Sequence, residues 1–228
     1  MNVISFSLYG DDPKYTVGAL ENIKIQPEIY PGWICKFYVN KNVPSIVIDE
    51  IIKLGAIVKI INAPIDFKSK FVRMEIAVEP NVSRFIVRDC DSRLNKKEAV
   101  AVQEWINSGK SFHIMRDHKQ HTSPIMGGMW GAVREFIPDT KFLELYREWI
   151  TGVRKGKFKK RPYCKTNGES DQGFLAHKIY PLIKEDCLVH TSYKKFEETD
   201  IEFSTRLRYG RFVGQQFRAD GTTIKPRS

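Results

Sequence analysis

The chain has 228 residues, 42% of them hydrophobic, and 37 Lys and Arg against 27 Asp and Glu give it a net charge of +10. That length and apolar content suit one large domain, and nothing suggests disorder except the ends. No window approaches a membrane span, and residues 1–6 lack the basic start and unbroken apolar stretch of a secretory signal, so a cytoplasmic protein of host or bacterial cytosol is expected.

The elements alternate from the start. Residues 3–8 read as a strand, ending at Tyr9-Gly10-Asp11-Asp12-Pro13. Residues 14–25 read as a helix, because Tyr15, Ala19 and Ile23 recur on one face. A second strand over 33–39, a helix over 44–54 entered through Pro44, and a third strand over 56–61 follow. A short helix over 71–77 leads to a fourth strand over 84–89. This alternation predicts an α/β fold with a mostly parallel central sheet and helices on both faces. Further on, residues 96–108 read as a helix closed by Gly109, and 112–115 as a strand. Residues 117–131 hold two histidines, Pro124 and three glycines, the composition of a shaped loop. Helices over 142–150 and 172–183 flank a basic loop over 152–164, and the chain after Tyr193 reads as irregular.

Positive charge collects at Arg154, Lys155, Lys157, Lys159, Lys160 and Arg161, and again at Arg206, Arg208, Arg211 and Arg218. A solvated basic surface and an anionic partner both account for it. No RNA- or DNA-binding motif is present, so nucleic acid is not the expected partner. The four cysteines, Cys35, Cys90, Cys164 and Cys187, are too far apart for a zinc knuckle and are expected to be reduced.

The most telling segment is Phe85-Ile86-Val87-Arg88-Asp89-Cys90-Asp91-Ser92-Arg93. An apolar strand delivers two carboxylates to its carboxyl end, where ligands collect in open α/β sheets. Two hard oxygen donors there suit Mg²⁺ or Mn²⁺ against a diphosphate. The plain alternative is that Asp91 caps the following helix. In the loop His118 to Gly131, Gly127 and Gly128 permit close backbone approach to a ligand. The two histidines lack a zinc pattern, and Trp130 either stacks on a sugar face or is a core residue. Ser170 or Asp171 caps a helix, or Asp171 with Gln172 grips hydroxyl groups. His190 follows an apolar run, where a lone histidine is commonly structural.

Together these segments resemble the nucleotide-sugar-dependent glycosyltransferases of the GT-A fold, in particular small capsule-type and large-DNA-virus members. The likeness rests on Ile4-Ser5-Phe6-Ser7-Leu8-Tyr9-Gly10, Tyr30-Pro31-Gly32-Trp33, Arg88-Asp89-Cys90-Asp91-Ser92-Arg93, the 118–131 stretch, Asp171-Gln172 and Phe212-Val213-Gly214-Gln215. It runs over nearly the whole chain. It implies a single Rossmann-like domain, with a nucleotide-binding half over 1–94 and an acceptor-binding half with the C-terminal tail over 95–228. It also implies that Ser7, Leu8 and Tyr9 line the nucleoside pocket, and that Arg73 and Arg88 contact the donor. Asp89 and Asp91 become the DxD acids that bind donor and metal, with His190 completing the metal shell. Many members carry an acid where this chain has Thr191. Gly127, Gly128, Trp130, Asp171 and Gln172 would face the sugar and acceptor, with Asp171 as general base in an inverting reaction. The expected activity is Mn²⁺- or Mg²⁺-dependent transfer of a hexose from a nucleoside diphosphate, UDP first among them, to a glycan hydroxyl. A metal-dependent phosphohydrolase and a non-enzymatic polyanion- or RNA-binding module are the rival readings.

Overall fold

The computed structural model describes residues 1–62, 67–154, 170–193, 195–197, 199–207 and 210–225. Most of the predicted basic loop over 152–164, Cys164 included, lies outside them. Strand β1 (Asn2–Leu8) is followed by helix α1 (Pro13–Ile29), β2 (Trp33–Asn40), α2 (Ser45–Lys53) and β3 (Ile57–Ile61). Asp12 starts α1 by accepting the Lys14 N–H at 2.8 Å, with Pro13 in the first turn where no N–H is needed. The helix continues past the predicted end at Ile25 and over Pro27 to Ile29. A 3₁₀ stretch, Val72–Val78, stands where a short helix was expected.

Strand β4 (Arg84–Val87) then leads to α3 (Lys96–Ser108), β5 (Phe112–Arg116), β6 (Trp130–Val133) and α4 (Asp139–Arg154). Asn95 caps α3 by accepting the Glu98 N–H at 3.1 Å, and Gly109 closes it at φ 71°, so the predicted bounds hold at both ends. The last predicted helix arrives in pieces: α5 (Asp171–Phe174), a π-helical segment (Leu175–Ile179) and α6 (Tyr180–Ile183). Strand β7 (Cys187–Thr191) completes one seven-stranded sheet of order β3-β2-β1-β4-β6-β5-β7.

All neighbouring pairs are parallel except those of β6, which runs antiparallel to both β4 and β5. The sequence hides β6 inside an expected loop because only four residues pair, one of them glycine. That glycine is the reason the strand fits: a Cβ on Gly131 would come within 2.7 Å of the Phe85 carbonyl oxygen. Strands β1, β4, β5 and β6 are buried on both faces, whereas the edge strand β3 stays largely exposed. Val3, Phe85 and Val87 pack toward the 3₁₀ stretch, α4 and α5, whereas Ile4, Phe6, Leu8 and Ile86 pack toward α1, α2 and α3. The carboxyl ends of β1, β4, β5 and β7, with the start of β6, form one rim. This is the expected single-domain, Rossmann-like α/β architecture with a mostly parallel sheet. Among the described residues no helix is long and apolar enough to cross a membrane.

Candidate active site

The rim of the sheet opens into a cavity of about 610 Å³. Its floor is built by the ends of β1 and β4. The sheet order turns there, since β2 and β3 lie to one side of β1 and β4 to the other. Ser7, Tyr9, Arg73, Asp89, Asp91, Gly127, Gly128, Asp171 and Gln172 all line it.

Arg73 holds the centre. It is buried, its backbone oxygen accepts the Ser5 hydroxyl at 2.7 Å, and its Nη1 donates to the Arg88 carbonyl at 2.8 Å. The same Nη1 pairs with Asp89 Oδ1, while Nη2 reaches Asp171 Oδ2 at 3.0 Å. One guanidinium thus joins the acid that follows β4 to the acid that begins α5, two residues far apart in sequence. Burial opposes its charge, but Asp89 and Asp171 more than offset this and hold it protonated. The Gly127-Gly128 loop lies directly on the two acids. A Cβ on Gly127 would stand 2.5 Å from Asp171 Oδ2, and one on Gly128 would overlap the Asp89 carboxylate.

Asp91 is differently placed. Its carboxylate is nearly buried and takes Lys14 Nζ at 2.8 Å and Gln216 Nε2 at 2.9 Å. Burial raises its pKa, and the nearby charge of Asp89 raises it further; Lys14 works against both. The turn that carries the two acids is shaped from α1. Asn22 donates to the carbonyls of Cys90 and Ser92 and accepts the Leu94 N–H at 3.0 Å. Four residues before it, Gly18 lies so close that a Cβ would strike the Cys90 oxygen. Neither residue stands out from the sequence, although Gly18 and Asn22 flank the apolar face of α1 at helical spacing.

The pair fits a divalent cation in one respect and not in another. Asp89 keeps a side chain 47% exposed toward the cavity, and its repulsion of Asp91 is what a cation relieves. Among the described residues, however, no group of three His, Cys, Asp or Glu is arranged to hold a metal. A two-carboxylate set still suits Mg²⁺ or Mn²⁺, which fill their remaining positions with phosphate oxygens and water.

Four expected site residues lie elsewhere. His190 is fully buried on β7, its Nδ1 2.9 Å from His113 Nε2 and its Nε2 2.6 Å from Glu104 Oε2. Both nitrogens are engaged away from the cavity, so it does not complete a metal shell with Asp89 and Asp91. Arg88 turns inward, donating to the Val87 and Trp130 carbonyls and facing Glu98 at 3.3 Å, and does not reach the cavity. Leu8 points into the core with α1. Trp130 lies between Phe112, stacked at 5.2 Å, and the edge of Phe85, so no face is open to a sugar. Its indole N–H donates to the Gly127 carbonyl at 3.2 Å and so anchors the glycine loop from below. Ser170 caps α5 by accepting the Gly173 N–H at 3.1 Å, leaving Asp171 to face Arg73. Sequence reasoning misses Lys14, Tyr15 and Gln216 as parts of this site; the first two line or adjoin it through α1, and Gln216 enters from the C-terminal segment.

The fold is the GT-A type, and solved structures share it. No family model matches the sequence, and no curated protein matches it significantly. The galactosyltransferase LgtC, solved in complex with donor and acceptor sugar analogs, aligns with 83% of this chain and 73% of its own at a TM-score of 0.50 and 11% identity. An active-site mutant of LgtC aligns equally well, with 72% of its chain covered. A 4-diphosphocytidyl-2C-methyl-D-erythritol synthase from Anaerococcus prevotii DSM 20548 covers more, 90% and 92%, but at a TM-score of 0.49 and 11% identity.

Proposed function

We propose that this chain is a metal-dependent glycosyltransferase that moves a hexose from a nucleoside diphosphate, UDP by preference, to a hydroxyl of a glycan. The observation that carries the reading is the Asp89–Arg73–Asp171 bridge beneath the Gly127-Gly128 loop. It sets a donor-side acid and an acceptor-side acid a guanidinium apart, an arrangement suited to group transfer between two bound substrates.

Residues 1–94 would serve the nucleotide and residues 95–228 the acceptor. Ser7 and Tyr9 would line the nucleoside end. Asp89 and Asp91 would hold Mn²⁺ or Mg²⁺, which when bound neutralises the negative charge gathering on the departing diphosphate. For Asp91 to take part, Lys14 must exchange its carboxylate for a phosphate oxygen, so its ammonium would remain in the site as a second positive charge. Arg73 would hold Asp89 and Asp171 in register. Gly127, Gly128 and Gln172 would border the sugar. Asp171 would accept the proton of the attacking hydroxyl if the anomeric configuration inverts. In a retaining reaction the departing phosphate oxygen takes that proton and Asp171 only positions; the anomer of the product distinguishes the two.

Thermal unfolding with UDP, GDP and dTDP, each with and without Mn²⁺, tests the reading. Ligand binding to the folded state alone raises apparent stability by mass action. Stabilisation by a nucleoside diphosphate that grows with Mn²⁺ is expected. Phosphate release from simple phosphoesters without an acceptor would replace this reading with a phosphohydrolase. Salt-sensitive polyanion binding indifferent to UDP and Mn²⁺ would replace it with a binding module.

A further inference from the structure

The cavity has aromatic rings at two ends. Tyr9 and Tyr15 stand together at the β1 end, ring centroids 6.3 Å apart. At the β5 end, His118 and Phe212 stack at 4.3 Å with 26° between their planes, and both line the cavity. Tyr193 stands beside His118 at 6.3 Å, with 63% of its surface exposed. Between the two ends lies β4 with Asp89, since the sheet runs β1-β4-β6-β5.

These three rings come from distant parts of the chain, and one buried carboxylate gathers them. Asp117 is 2% exposed. Its Oδ1 accepts from Lys97 Nζ and from the Ser192 hydroxyl, each at 2.5 Å, and its Oδ2 accepts the Val213 N–H at 2.8 Å. Each ring is next in sequence to a member of this knot: His118 to Asp117, Tyr193 to Ser192 and Phe212 to Val213. His121 adds a further tie, its Nδ1 accepting the Asp117 N–H at 2.9 Å while its ring edges onto Phe212 at 5.7 Å. A buried charge that needs three donors is a costly way to leave aromatic faces in water. It makes sense where the faces meet a ligand that is apolar on one side and polar around its edge. A pyranose ring is such a ligand: its C–H face covers an aromatic ring while its hydroxyls point outward.

We propose that His118, Phe212 and Tyr193 form the acceptor subsite and hold the terminal pyranose of the glycan by stacking. This rests on the glycosyltransferase reading above, which puts the nucleoside at the Tyr9 end and the diphosphate at Asp89. The acceptor is then left the β5 side of the same cavity.

Saturation-transfer NMR on the full chain with methyl β-D-galactopyranoside and methyl β-D-glucopyranoside tests it, alongside thermal stabilisation by UDP with Mn²⁺. Saturation of the ring C–H protons of at least one glycoside is expected. Phe212→Leu keeps an apolar side chain without the ring and should weaken that glycoside about tenfold, with stabilisation by UDP unchanged. Tyr193→Ala changes an exposed ring and should act in the same direction even where Phe212→Leu harms folding. Absence of any pyranoside signal while UDP binds overturns the proposal. So does weakened UDP binding in both variants with pyranosides unaffected, since the rings would then hold the nucleobase. UDP failing to bind while pyranosides still depend on the rings sinks the transferase reading and leaves the carbohydrate site standing.

Discussion

Strand β4 leads into Val87-Arg88-Asp89 and strand β5 into Met115-Arg116-Asp117. In both, an apolar run delivers an arginine and then an aspartate to the same rim of the sheet. Both arginines turn inward: Arg88 to the Trp130 carbonyl and Glu98, Arg116 to the Pro124 carbonyl at 2.7 Å and Asp200. The aspartates part company. Asp117 commits its lone pairs to Lys97, Ser192 and Val213 and is sealed. Asp89 gives one oxygen to Arg73 and keeps its side chain half open to the cavity. A strand-end acid is available for chemistry only where the surrounding chain leaves it unsatisfied, and local sequence does not say which acid that is.

Exchanging the two acids for amides should separate function from stability. Asp89→Asn is expected to lower Mn²⁺-dependent turnover of a UDP-sugar by about 10²–10³-fold, as removal of a group facing developing charge does elsewhere. Its unfolding midpoint in urea should fall much less than that of Asp117→Asn, because the Asp89 side chain is half exposed and the buried Arg73 keeps its pair with Asp171. Asp117→Asn should do the reverse. It leaves the Lys97 ammonium buried without its carboxylate, and a loss of about 3 kcal/mol in urea unfolding is expected. Equal loss of stability in both variants would break the contrast.

A smaller effect is expected from Gly128→Ala. The new methyl would overlap the Asp89 carboxylate, so either the loop or the acid must shift. Overpacking of this kind costs about 1–3 kcal/mol. Turnover should fall more than stability if Asp89 is the part that moves, which steady-state kinetics beside urea unfolding would resolve.

The smallest effect concerns pH. Burial, with the neighbouring charge of His118, lowers the pKa of His121 from 6.5 to about 4. The unfolded chain therefore binds a proton in that interval that the folded chain does not. The stability contributed by neutral His121 is full above pH 6.5 and is lost as pH falls toward 4. His121→Gln should flatten urea-unfolding stability between those limits by up to one proton's worth of slope. An unchanged slope would mean that His121 titrates normally and that the Asp117 knot is looser than described.

Much of the architecture is legible in the sequence because it follows from periodicity and caps. The apolar runs of β1, β2 and β4, the face of α1 and the Asn95–Gly109 limits of α3 depend on neighbours a few residues away. The acid pair can be placed at a strand end for the same reason. Strand β6 carries no such signal, since it is four residues long, includes a glycine and exists only through pairing with chain far away in sequence; the apolar run before His190 is visible, but its place beside β5 is not. The histidine expected at the metal is likewise beyond reach: His190 resembles a ligand in sequence, yet Glu104 on α3 and His113 on β5 occupy both of its nitrogens.

By itself, then, the sequence determined the alternation of elements, the two-faced apolar core and the delivery of carboxylates to one rim, because hydrophobic spacing and backbone caps are local. Only the tertiary structure decided which polar groups meet. It paired Arg73 with Asp89 and Asp171, set Lys14 on Asp91, and turned Arg88 and His190 away. Charge pairing and desolvation depend on distances between residues far apart in the chain, and those distances come into being only when the sheet closes its order.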